Sequence, residues 1–300
     1  MQVGSRTLIM NPVSGTGDHA ELVRQKARGK GFAVWETEGE GDGVALGRRA
    51  GEEDVGEIAV CGGDGTINEV LRGLEQADHL DEVTLNVIPA GTANLLANAV
   101  GIRSIEHGLQ LTDKGEVRAV DVGLADGEPF VVSCIAGFPA DASTSASGEL
   151  KQRLGTLAFV VSGLQQAVEF EGLDLQLDLH GGGRSDSWEG SAVTVLVGNA
   201  RRFVEQGGQA DMEDGLFDVA VVEDVPAGNL AVEAAIHRLL GEGTDSVHHF
   251  QAAQVTVTSD EAITFSRDGE IAEHDRVTMY ARPRALDLRV GPDYVPDPPA

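Results

Sequence analysis

The chain carries its chemistry on short turns. In "GGDGTINEV" (62–70) Gly62, Gly63 and Gly65 surround Asp64 just ahead of a helix-like pattern. "NPVSG" (11–15) and "PAGT" (89–92) are two further turns of the same kind. Glycines let the main chain approach a ligand closely, and amides at a helix start point at a negative group. A phosphate chain suits such a cradle, and amides can hold it with little help from lysine. The spacing is neither a Walker loop, since no "GK[ST]" occurs, nor the G-x-G-x-x-G dinucleotide fingerprint. One such turn alone is as readily a tight connection; several meeting at one place are not.

Two acidic turns supply the other half. "ADMEDGLFD" (210–218) places Asp211, Asp214 and the main-chain carbonyl of Leu216 within reach of one hard cation, which prefers oxygen ligands. "RDGE" (267–270) puts Asp268 and Glu270 around a glycine turn between strands. In so acidic a chain most carboxylate pairs are solvated surface. Here both lie on "DG" turns flanked by strand residues. Phosphoryl transfer needs parts of these kinds: a phosphate cradle, Mg²⁺ across the β and γ oxygens, and a carboxylate near the accepting hydroxyl.

The elements must bring these turns together. "TLIM" (7–10), "FAVWET" (32–37), "EIAVC" (57–61) and "VTLNVI" (83–88) read as strands, each followed by a helical pattern. After the third, Ile67, Val70, Leu71 and Leu74 recur at helical spacing. Asp18 and Glu21 resemble a capping box opening the first helix. Alternating strands and helices imply a parallel sheet with every strand-to-helix turn at one edge. "NPVSG", Thr37, "GGDGT" and "PAGT" are expected to meet there. From about Val117 the texture becomes β-rich, with an Asp126–Gly127 turn and strict alternation in "LDLQLDLH" (173–180). Helices are expected around 148–168 and 228–240. The apolar side of "LKQRLGTLAFVVSGLQQAVEF" (150–170) reads as core-facing rather than membrane-facing, because only Lys151 and Arg153 give it a basic face.

With 300 residues, two domains are expected: 1–118, an α/β domain, and 119–300, a β-rich domain whose last strand could return to the first. Acidic residues outnumber basic ones 49 to 22 for a net charge of -27, and the four lysines are Lys26, Lys30, Lys114 and Lys151. The acidic residues are spread along the whole chain, a surface style suited to a salt-rich solvent. Nucleic acid is not an expected partner, since no basic patch is present. No apolar run reaches the ~20 residues of a membrane span and no signal peptide is read, so a cytoplasmic location is expected. Cys61 and Cys134 fall in apolar strands and read as buried thiols. The eight histidines, His248 and His249 among them, lack ligand spacing.

"NPVSG", "GGDGTINEV" and "PAGTANLLA" (89–97) together resemble the ordered signature of the diacylglycerol kinase catalytic domain family, which includes sphingosine, ceramide and bacterial lipid kinases. The resemblance covers most of the chain. It implies an α/β nucleotide-binding lobe with a parallel sheet, then a mostly antiparallel β-sandwich lobe, with the active site in the cleft. It implies ATP and Mg²⁺ as cofactors and a lipid alcohol such as diacylglycerol as acceptor, met in transient peripheral contact with a membrane. A homodimer is compatible with the sequence. Expected nucleotide contacts are Asn11, Pro12, Ser14, Gly15, Thr37, Gly62, Gly63, Asp64, Gly65, Thr66, Asn68, Glu69, Gly91 and Thr92. The resemblance assigns Asp211, Asp214 and Leu216 to magnesium and makes Glu270 the proton acceptor. Asp64 is the second candidate base, with an organising role. The chain departs from the pattern at Leu95 and Asn98, where relatives carry an aspartate and an arginine, and at Gly208, where a proline is common. Arg201 and Arg202 could supply the missing positive charge. Two other readings stand beside this one: a kinase of a soluble acceptor such as a nicotinamide nucleotide, and a nucleotide-binding regulator without catalysis.

Overall fold

The computed structural model describes residues 6–137, 172–203, 208–223 and 247–298. In the first lobe β1 (Arg6–Met10), β2 (Ala33–Glu36), β3 (Glu57–Gly62) and β4 (Thr84–Pro89) pair in parallel in the order β4-β3-β1-β2. The helices between and after them are α1 (Ala20–Gly29), α2 (Asp42–Glu52), α3 (Asp64–Gln76), α4 (Leu95–Ala99) and α5 (Ile105–Lys114). Successive strand residues point to opposite faces. Leu8, Met10, Ala59 and Cys61 therefore pack with Val23 and Ala27 of α1 and Leu109 of α5. Ile9, Ile58 and Val60 pack on the other face with Ile67, Val70, Leu71 and Leu74 of α3. Helices on both faces explain why these strands are apolar throughout rather than alternating.

Two local readings need correction. Asp18 does not form a capping box: α1 starts after His19 without a side-chain cap, and the Asp18 carboxylate instead accepts from the Thr16 hydroxyl. The helix begins one residue later than the box requires, and Glu21 turns to Arg24. The second correction is α5, which the pattern reading passed over although Ser104 announces it. The Ser104 hydroxyl accepts from the His107 amide at 3.1 Å as a proper N-cap.

The second lobe contains β5 (Glu116–Ala125), β6 (Glu128–Phe130), β7 (Ser133–Gly137), β8 (Leu173–Gly181), β9 (Arg184–Gly198), β10 (Arg201–Arg202), β11 (Gly208–Gln209), β12 (Phe217–Glu223), β13 (Val247–Ala252), β14 (Gln254–Arg267) and β15 (Glu270–Val290). Pairing among these strands is antiparallel. In β8, Leu175, Leu177 and Leu179 are buried between exposed Asp174, Gln176 and Asp178, as the alternation requires. The last strand, β15, joins the lobes. Val277 and Met279 lie in the second core, while Leu286, Leu288 and Val290 lie in the first. Its pairing with β5 shifts between Arg282 and Leu286, around Pro283, which has no amide to give the ladder. Beyond that shift Asp287 and Leu288 pair in parallel with Thr84 and Leu85 of β4. The chain's end thus completes the sheet of its beginning.

No helix among the described residues is long and apolar enough to cross a membrane. The helices expected at 148–168 and 228–240 lie outside the described residues. Cys61 and Cys134 are free and buried, and burial pushes both thiols up to about 12. A thiol without thiolate character is unreactive. Alkylating reagent at pH 8 should leave both unmodified in the native protein and modify both in denaturant, as mass spectrometry would show.

Candidate active site

The parallel ladder continues past the strand ends and draws the turns together. The Asn11 amide donates to the Cys61 carbonyl at 2.9 Å, Thr37 to Met10 at 3.0 Å and Ala90 to Gly62 at 2.9 Å. The glycines then let the turns touch. A Cβ on Gly91 would lie 2.4 Å from the Gly63 Cα, and one on Gly15, at φ 59°, would lie 2.4 Å from the Ala90 carbonyl oxygen. Gly15, Gly63 and Gly91 therefore meet along one rim although 76 residues separate the first from the last.

Side chains lock this rim. Asn11 folds "NPVSG" into a turn by accepting the Val13 amide through Oδ1 at 3.1 Å, and the Ser14 amide reaches the Asn11 carbonyl at 3.3 Å. Pro12 stands inside that turn. Asp64 reaches forward: its Oδ1 accepts the Leu96 amide at 3.1 Å, tying the second turn to α4. Asn94 closes the third turn by a pair of bonds with Gly91, at 2.9 and 2.8 Å. Gly65 and Thr92 are exposed, while Thr37 and Thr66 are buried. Asn68 is 2% exposed and donates to the Pro129 carbonyl at 3.1 Å, so it braces the second lobe. Glu69 serves α2, its carboxylate accepting the Gly41 and Gly43 amides at 3.1 and 3.0 Å. It fills the anion position that the start of α2 offers.

The "RDGE" turn is fixed from below. Asp268 at φ 47° and Gly269 at φ 100° make the reversal between β14 and β15. The Asp268 carboxylate accepts the amides of Val131 (2.7 Å), Val132 (3.0 Å) and Ser133 (2.8 Å). Burial pushes this carboxyl up to about 6 against those three bonds, and the neighbouring Asp64 charge adds to the rise. Asp268→Asn presents an NH₂ to amides that need acceptors. Each amide left unpaired costs about 1–3 kcal/mol, so the midpoint of denaturant unfolding should fall measurably. Glu270, the next side chain on β15, meets α3 itself: Arg72 Nη1 donates to its Oε2 at 3.2 Å.

The acidic loop is built around a residue that the pattern reading missed. Asp121 lies in mid-strand on β5, fully buried, and accepts the Gly215 amide at 2.7 Å and the Arg284 amide at 2.8 Å. Its own amide donates to the Met212 carbonyl at 2.7 Å, and Met212 is buried in the first core. Asp211 and Asp214 each turn one oxygen to the loop's backbone, on the Glu213 and Leu216 amides at 2.8 Å. Partial desolvation pushes the Asp214 carboxyl up to about 6, with the charges of Asp211, Asp121 and Asp218 adding to it. Among the described residues no group of three or more histidine, cysteine, aspartate or glutamate side chains is arranged around a metal position. Asp211 and Asp214 each keep a second carboxylate oxygen beyond these backbone bonds, the kind of ligand a hard cation takes.

A buried asparagine connects this loop to the hairpin. Asn199 Nδ2 donates to the carbonyls of Asp121 (2.9 Å) and Val131 (2.8 Å), and the Val131 amide is one of those held by Asp268. Asn98 and Arg201 line one cleft of about 460 Å³, beside Leu95 and Val132. Burial pulls the Arg201 guanidinium down to about 10. Arg202 lies 3.6 Å from Asp218. Asn98, at the place where the resemblance implies an arginine, thus shares its cleft with Arg201.

Residues 5–125 match the model of the diacylglycerol kinase catalytic domain, and residues 132–290 match the YegS C-terminal NAD kinase beta sandwich-like domain. The chain belongs to the diacylglycerol kinase catalytic domain family. Within that family it is 28% identical to the diacylglycerol kinase of Bacillus subtilis over 88% of both chains. It is 29% identical to a Chromohalobacter salexigens protein named "Probable lipid kinase YegS-like", over 88% of this chain and 86% of that one. A solved structure described as a diacylglycerol kinase of Bacillus anthracis superposes with a TM-score of 0.76 at 24% identity, covering 97% of this chain and 98% of that one. At that identity the likeness shows the fold: an α/β lobe followed by a mostly antiparallel β-sandwich.

Asp121, Asn94, Asn199 and Arg72 are the site-building residues that the pattern reading did not single out. An aspartate between apolar neighbours in "RAVDVGLA" was the available signal for Asp121, since an unpaired charge does not sit in a strand core. For Arg72 there was none, because it reads as the polar face of a helix.

Proposed function

We propose that the chain is an ATP-dependent lipid kinase that moves the γ-phosphate to a hydroxyl of diacylglycerol or a similar lipid alcohol. The observation that carries this reading is the meeting of Gly15, Gly63 and Gly91 at a rim from which α3 departs, with Arg72 of that helix reaching Glu270 on the Asp268–Glu270 hairpin at 3.2 Å. The amides of that rim would hold the phosphates of ATP, and Glu270 would take the proton of the accepting hydroxyl. Asp64, tied to α4, holds two turns in register. Asp211, Asp214 and the Leu216 carbonyl would hold magnesium, which neutralises charge on transferring phosphates. In this reading the active site lies in the cleft between the lobes.

Purified protein, labelled ATP, magnesium, high KCl and a panel of acceptors test it. Label on a lipid alcohol supports the proposal. Label on a nicotinamide nucleotide would replace it with the soluble-acceptor reading, and nucleotide binding without transfer would leave a regulator. Transient peripheral contact with a membrane follows from a lipid acceptor and is read by vesicle flotation. The acidic shell belongs to the same proposal as a device for salt-rich solvent, because screening at about 1 M salt confines repulsion to roughly 3 Å. Stability should rise with KCl, and full stability in dilute buffer would count against it.

A further inference from the structure

We propose that Arg72 is a positioning residue for phosphoryl transfer, fixing the Glu270 carboxylate against the helix that follows the phosphate turn. The proposal rests on the reading of Glu270 as the base. Arg72 lies eight residues beyond Asp64 on α3, about 12 Å along the helix at 1.5 Å per residue. Its guanidinium spans two carboxylates: Nε donates to Glu128 Oε2 at 2.8 Å and Nη1 to Glu270 Oε2 at 3.2 Å. One side chain thereby joins α3, the start of β6 and the start of β15.

The backbone of the hairpin does not need this contact. Asp268 already anchors the turn through three amides of residues 131–133. What Asp268 leaves undetermined is the rotamer of Glu270, a long side chain 40% exposed. Arg267, the cross-strand partner of Glu270, directs its Nη1 to the Ala125 carbonyl at 3.4 Å. Among the described residues, the cation on the Glu270 carboxylate is Arg72. Half-exposed ion pairs of this kind contribute little to stability, but a planar guanidinium held at Nε by Glu128 aims its Nη1 at Glu270 in a fixed direction, where a lysine would supply only its charge. The contact is made through one oxygen, Oε2, and a proton can be taken at the other. Because Arg72 and the Gly63–Asp64 turn belong to one helix, the contact ties the place of the base to that of the turn.

The test uses the full chain with ATP, magnesium and diacylglycerol in detergent micelles. It compares Arg72→Met, Arg72→Lys, Glu270→Gln and the double variant Arg72→Met/Glu270→Gln. Arg72→Met is expected to lower kcat roughly tenfold, less than the ~10²-fold cost of a full 1 Å misplacement, with the Kd for a fluorescent ATP analogue within about twofold of wild type. Arg72→Lys should recover part of the loss. In the Glu270→Gln background, Arg72→Met should cost nothing further, since residues acting as a unit are non-additive. An equal loss in both backgrounds would assign Arg72 a structural role and overturn the proposal, as would wild-type kcat in Arg72→Met. If Arg72→Met does not fold, Arg72→Lys carries the same cycle: a loss confined to the Glu270 background supports the proposal, and any other pattern overturns it. Wild-type transfer by Glu270→Gln, or no transfer by the wild type, would instead overturn the reading of the base.

Discussion

Glu270→Gln should reduce phosphoryl transfer by about 10²–10⁴-fold, the usual contribution of a general base, while leaving the fold and nucleotide binding intact. Glutamine keeps the shape of the side chain and can still accept from Arg72, so the contact seen at 3.2 Å survives. The turn that presents it depends on Asp268 and Gly269 rather than on Glu270. A substitution at a side chain 40% exposed should change stability by no more than about 0.5 kcal/mol. The variant therefore separates chemistry from structure. Initial rates of transfer, a nucleotide-binding titration and a thermal unfolding curve, taken together, decide the matter. A glutamine variant that turned over normally would remove Glu270 from the reaction.

The second large effect is expected from Gly91→Ala, read against Gly65→Ala. At Gly91 the new methyl would lie 2.4 Å from the Gly63 Cα, and both partners are backbone that cannot rotate aside. The second and third turns must part, at a cost of about 1–3 kcal/mol in stability. A displacement of ~1 Å in a positioning element lowers function by about 10²-fold, so nucleotide binding should nearly vanish. At Gly65 a Cβ meets no protein atom within 4 Å. Gly65→Ala should therefore fold with wild-type stability, yet it too should weaken nucleotide binding, because the space its methyl enters lies at the start of α3 where phosphate is proposed to sit. Unfolding curves and equilibrium titrations with an ATP analogue read both quantities. Undiminished affinity in Gly91→Ala would dismiss the rim as the phosphate site.

The strand-and-helix alternation of residues 6–99 was plain because each element is long enough to show its period, and "GGDGT" could be placed at a strand-to-helix turn for that reason. α5 was hidden because its signal was a single serine cap, and Asp18 misled because a box spacing in sequence says nothing of where a helix starts. Glu69 shows the limit within a motif: it shares "GGDGTINEV" with the rim, yet its carboxylate serves the amides of Gly41 and Gly43.

By itself, then, the sequence determined which turns were shaped to offer amides, which strands were apolar on both faces, and that two acidic turns stood between strands. These are local properties, set by glycine, by periodicity and by charge. The tertiary structure alone decided that Gly15, Gly63 and Gly91 touch, that β15 carries Glu270 at one end and pairs with β4 near the other, and that Asp121 and Asn199 join the acidic loop to the hairpin. Those contacts span from tens to about two hundred residues of chain. They are fixed by close packing and by the need of buried polar groups for partners, neither of which leaves a mark at any single position of the sequence.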